Sequence, residues 1–146
     1  MEKITFDSGL KEYRINGNGV LRFNPADPNV YARFLEAVDK IQDMEKALTE
    51  EALKLPDQDS GTQAVKLLAR ADKQMKELLS WVFGEQNNFD KLLGGVNLLA
   101  VADNGQRVIT NLLEALQPIL ITGAEKCAKE TAQAAVEKAK TRRAKQ

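Results

Sequence analysis

The sequence predicts a mainly helical α+β protein, with a small N-terminal antiparallel β-hairpin, a long antiparallel helical hairpin and a kinked C-terminal helix. Three observations predict it. Two short period-two segments flank Asn16-Gly17-Asn18-Gly19 near the start of the chain. Two long stretches with apolar residues at three-four spacing are separated only by the polar linker Pro56–Gly61. A Leu- and Ile-rich stretch follows the turn Asp103-Asn104-Gly105 and carries an internal Pro118. The chain has 146 residues, 43% of them hydrophobic, enough for one folded domain with a modest core. Aromatics are only 5%, so aliphatic side chains must fill most of it.

The hairpin is expected within residues 1–25. Tyr13 and Ile15 alternate with Arg14, and Leu21 and Phe23 alternate with Arg22. The Asn-Gly residues between them tolerate the positive φ that tight turns need. Ile4–Phe6 is a third candidate strand. So few strands are marginal alone, so their apolar face must lie on the helices or on another copy of the sheet.

Asp27 is placed to cap a helix that Pro28 begins and Pro56 stops, spanning 27–55. Its stripe is Phe34, Val38, Ile41, Leu48, Ala52 and Leu55; Glu45 interrupts it and Met44 fills the gap. At 1.5 Å per residue this helix is about 42 Å long, against a radius of gyration near ~15 Å for a chain of this length. The excess suggests packing against a second chain or another long helix. Asp59 or Ser60 is positioned to cap a second helix over 62–83, with Val65, Leu68, Met75, Leu79 and Val82 along one face and Gly84 as its terminator. Asn87-Asn88 precedes a short helix, Phe89–Leu93, which Gly94-Gly95 ends. Asn97–Ala102 reads as a loop or short turn. The last helix is predicted over 105–124, with Val108, Leu112, Leu113, Leu116, Ile119 and Leu120 inward and a kink near Glu114 from Pro118.

Residues 1–124 form the predicted domain and 125–146 a basic tail, helical or disordered, that orders on a partner. The chain is neutral, with 21 basic and 21 acidic residues, but the tail carries +4 and the rest −4. A balanced total argues against a dedicated nucleic-acid binder. The tail reads as a solvated helix, or as a basic end that steers towards an acidic partner. No apolar run is long enough to span a bilayer, and MEKITFDSG lacks the pattern of a secretory signal, so a cytoplasmic location is expected.

Reactive chemistry is sparse. The chain has no histidine and one cysteine, Cys127. An imidazole base, a Cys–His pair and a thiolate zinc site are all excluded by that count. Gly17-Asn18-Gly19 lacks the third glycine of a phosphate loop, and Asp57-Gln58-Asp59-Ser60 lacks the late glutamate of a calcium loop. No catalysis, cofactor or metal is expected. Trp81, among Leu78, Leu79 and Val82, reads as a core anchor or as an interface hot spot. The partner-binding candidates are Phe34, Val38, Ile41, Trp81, Phe83 and Phe89.

Three stretches carry a likeness to a known family. ITFDSGLKEYRING leads into VLRFNPADPNVYARFLEA, a hairpin followed by a proline-initiated helix. WVFGEQNNFDKLLGG runs from a helix ending in Phe-Gly through a polar loop to another aromatic. NGQRVITNLLEALQPIL is a helix built on Leu-x-x-Leu-x-Pro. In these the chain resembles the small tail-assembly proteins, including tail assembly chaperones, of siphophages and prophages of Gram-positive bacteria. The tail after Gly123 lies outside the pattern. The resemblance implies an adaptor that covers the apolar helices of a tape measure protein, recruits tube subunits, self-associates, and is absent from or minor in the finished particle. It implies no small-molecule site. A permanent structural part of a tail is the alternative, and a basic-tailed nucleic-acid-binding regulator a more distant one.

Overall fold

The structure, a computed structural model, describes residues 1–56 and 60–145. Six elements follow in order: β1 (Lys11–Ile15), β2 (Gly19–Phe23), α1 (Pro28–Leu53), α2 (Ser60–Phe83), α3 (Phe89–Leu92) and α4 (Val108–Lys145). The predicted mainly helical architecture with its antiparallel hairpin is observed.

β1 and β2 pair antiparallel, Lys11 opposite Phe23 and Ile15 opposite Gly19. The turn works as expected: Asn16 and Gly17 take φ of 47° and 79°, and the Asn18 N–H donates to the Ile15 carbonyl at 2.8 Å. Leu21 and Phe23 point into the core. Phe23 stacks on Tyr13 at 5.2 Å between centroids and meets Phe83 edge-on at 4.8 Å, and Phe83 lies 5.7 Å from Phe89. The third candidate strand, Ile4–Phe6, does not form. Residues 1–10 adopt no regular element and join no β-ladder among the described residues. Gly9, at φ 75°, lies between this arm and β1.

Asp27 caps α1 by accepting from the Asn29 N–H at 2.9 Å, with Pro28 in the first turn. Val30, Phe34, Ala37 and Ile41 are buried, and Met44 and Leu48 pack at the margin. The helix stops at Leu53 rather than Leu55. Lys54 and Leu55 donate to Glu51 and Ala52 in a closing turn, because Pro56 disfavours helical backbone before it. The predicted cap at Asp59 or Ser60 lies outside the described residues and side chains. α2 packs along α1 as the predicted hairpin, burying Ala71, Met75, Leu79, Val82 and Phe83, and Gly84 ends it at φ 115°. Val65, assigned inward by its spacing, is 64% exposed. The far end of the helical hairpin extends past the elements that would cover that face.

α3 is capped by Asn88, which accepts from the Lys91 N–H at 3.1 Å, and it ends at Leu92, one residue earlier than predicted. The loop after it enters the core through Leu98 and Leu99. It also caps α4: Val108 and Ile109 donate to the Ala100 and Leu98 carbonyls at 2.9 and 2.8 Å. These satisfy helix amides that would otherwise lack partners. Arg107 pairs with Val101 in an isolated antiparallel bridge, which holds 106–107 extended and delays the helix from 105 to Val108. α4 then runs unbroken through Pro118 to Lys145, so helix 105–124 and the basic tail are one element. At 38 residues it is about 57 Å long. Its buried side chains are Ile109, Leu116 and Leu120, and a Cβ on Gly123 would collide with the Pro25 carbonyl, so glycine lets α4 approach the β2–α1 turn. From Ala128 to Ala144 every residue is exposed.

Candidate functional site

Four of the six partner-binding candidates are core residues. Phe34, Ile41, Phe83 and Phe89 are buried in the cluster that joins hairpin, α1, α2 and α3, and they offer no surface to a partner. Their aromatic and branched side chains follow the same periodicity that an interface would show, and the core takes them. Val38 is half-buried against that cluster. Trp81 alone reaches the surface, at 39% exposure, which corrects its reading as a core anchor.

Trp81 sits on the outer face of the α1–α2 pair. The Lys40 ammonium lies 5.2 Å from its ring centroid, and Lys40 also pairs with Glu36 at 3.2 Å. Beside it a shallow groove of about 400 Å³ is lined by Lys40, Asp43, Met44, Gln74 and Leu78. Trp81 and Leu78 are one turn apart on α2, as Lys40 and Met44 are on α1, so the two helices present facing rows. An indole, a flexible thioether and a leucine flanked by both signs of charge suit the apolar face of an amphipathic helix.

Hydrogen bonds and ion pairs brace the wall behind this face. Arg33 donates through Nε to the Val82 carbonyl at 3.0 Å, tying α1 to the end of α2. Asn87 is buried and donates to the carbonyls of Arg22 and Phe83 at 2.9 and 3.0 Å while accepting from the Arg22 N–H at 3.0 Å. Ser80 donates to the Asn87 carbonyl at 2.8 Å. Lys76, its side chain 8% exposed, pairs with Asp72 at 2.9 Å and Asp90 at 2.7 Å. Asp72 also accepts from the Leu98 N–H at 2.8 Å. Burial alone would push the Lys76 pKa down, but its hydrogen bonds and charge pairing with Asp90 and Asp72 outweigh that and hold it above the ordinary lysine value. A polar recess borders this network, but the acids nearest Lys76 are already paired with it. Among the described residues no group of His, Cys, Asp and Glu is arranged to hold a metal ion.

Sequence reasoning missed Asn87, Lys76, Leu98 and Ile109. The Asn87-Asn88 pair was the one legible signal, and the structure divides it: Asn88 caps α3 and Asn87 bridges three backbone groups. Cys127 is half-buried and lines a second, larger groove along the middle of α4.

No protein-family model, curated protein or solved structure matches this chain. No helix among the described residues is long and apolar enough to cross a membrane.

Proposed function

We propose that the protein is a non-enzymatic adaptor of phage tail assembly, a chaperone whose α1–α2 face grips an amphipathic helix of a tail protein such as the tape measure. The observation that carries this reading is Trp81, an exposed indole set between Leu78 and the Lys40–Met44 row on a braced helical hairpin. A large aromatic left partly in water on a rigid face is the kind of side chain that anchors protein interfaces. The resemblance of the hairpin, Trp-Val-Phe-Gly and Leu-x-x-Leu-x-Pro stretches to tail-assembly proteins supplies the client class. The absence of histidine supports a binding role over catalysis. The work would be done in the cytoplasm of the infected cell, before the tube polymerises.

Co-expression of the tagged chain with the tail genes of the same genome tests this. The tape measure protein is expected to co-purify with the wild-type chain, and Trp81→Asp is expected to weaken capture at least about 10-fold. Recovery of no tail protein would refute the reading. A stoichiometric copy number in purified particles would instead favour a permanent structural part.

A further inference from the structure

We propose that the N-terminal arm, residues 1–10, docks into the groove between the β2–α1 turn and α4 of a second copy of this chain, adding a strand to the free edge of its β1. The proposal does not rest on the tail-assembly reading.

The arm is apolar where it is most exposed. Ile4 is 92% exposed and Phe6 76%, and their spacing puts both on one side of an extended chain. Its root is built. The Gly9 N–H donates to the Asp7 carboxylate at 2.8 Å, and Asn24 donates to the Ser8 carbonyl at 3.0 Å. Gly9 takes φ 75°, and a Cβ there would come within 2.6 Å of the Asn24 side chain. The point at which the arm leaves the body is therefore fixed, and eight residues reach up to about 26 Å.

A receptor for such an arm lies beside that root. A groove of about 830 Å³ is lined by Tyr13, Pro25, Ala26, Pro118, Ile119 and further residues of α4 as far as Ala134. The close approach of Gly123 to Pro25 preforms its floor. Lys11 and Lys126 on its rim match Glu2 and Asp7 of the arm, and Glu130 matches Lys3. The neighbouring sheet edge is asymmetric. Asn87 occupies the outward N–H and C=O of Arg22, so β2 is blocked at that position. Those groups point outward because Glu12–Arg22 is a non-hydrogen-bonded pair of the ladder. Glu12 and Arg14 must therefore point their own backbone groups out of β1, where no hydrogen bond reaches them among the described residues. An edge of this kind accepts a strand.

One chain carries one arm and one groove, and the proposal is the reciprocal exchange of the two, which closes as a two-fold dimer. The arm and the residues lining the groove number 24 a side, in the range of about 20–30 that a stable interface uses.

Full-length protein tests this by sedimentation and cross-linking. The wild-type chain is expected to be dimeric. Ile4→Asp with Phe6→Asp, both at exposed positions, should raise the dimer Kd at least about 100-fold while leaving far-UV circular dichroism unchanged. Thr5→Cys, treated with a short bis-maleimide, should give a covalent dimer that disappears when Cys127→Ser is added. A wild-type monomer at ~100 μM, a dimer indifferent to the arm substitutions, or a Thr5→Cys cross-link confined to single chains would overturn the proposal.

Discussion

Asn87 closes three backbone groups at the junction of β2 and the end of α2, and among the described residues no other side chain reaches them. Asn87→Ala would leave those groups without partners while removing little apolar contact. We expect a loss of about 2–3 kcal/mol in urea unfolding. A change below about 0.5 kcal/mol would show that water replaces the amide freely. Lys76 makes a pH-dependent contribution. Its folded pKa is raised above the ordinary 10.5, so its stabilising effect is complete below that value and is lost as pH climbs through the folded pKa. The melting-temperature gap between wild type and Lys76→Met should therefore hold steady from neutral pH up to about 10 and shrink above the ordinary lysine value. A gap that widened under alkaline conditions would contradict the assigned pairing. Neither residue's role was legible in the sequence: the Asn87-Asn88 pair signals a helix cap, and only Asn88 serves as one. Lys76 looks like one more lysine on an amphipathic helix, and its acids lie 4 and 14 residues away, the second in another helix. What was legible at this scale was local: the Asp27-Pro28 start, the Asn16-Gly17 turn and Gly84 each act through their own backbone.

At the scale of elements, period and punctuation located both strands and every helix. The boundaries they missed were set by tertiary partners. α4 starts at Val108 because the 98–100 carbonyls cap it there, and no local residue pattern encodes a cap supplied by a distant loop. Ile4–Phe6 has a strand's alternation but pairs with no strand among the described residues. The partner-binding list failed for a related reason, since Phe34, Ile41, Phe83 and Phe89 fit a core and an interface equally well by spacing. The distal half of α4 makes the clearest element-scale prediction. Residues 135–144 are exposed on every side and lie beyond the groove. Ending the chain after Ala134 should alter stability by less than about 0.5 kcal/mol, as measured by chemical denaturation. A larger loss would mean that this segment folds back onto the body. Leu116→Ala, in the packed half of the same helix, should instead cost about 2–4 kcal/mol.

The whole molecule is a small core from which longer rods project. α1 and α2 extend past the elements that cover them, α4 runs far beyond its last buried residue, and the arm leaves from the opposite end of the sequence. Such a shape presents long helical faces and, among the described residues, an unpaired strand edge. Its core and its helical hairpin could be read from residue patterns, but the client of the proposed face could not, because an amphipathic face records chemistry and not a name. Trp81 is the chain's one tryptophan, so its fluorescence reports on the proposed face without labelling. The most direct test of the central claim is to titrate the purified tape measure protein of the same genome into this chain and follow that emission. The account predicts a saturable blue shift, abolished by Met44→Asp with Leu78→Asp; binding that leaves Trp81 emission unchanged, or no binding at all, would contradict it.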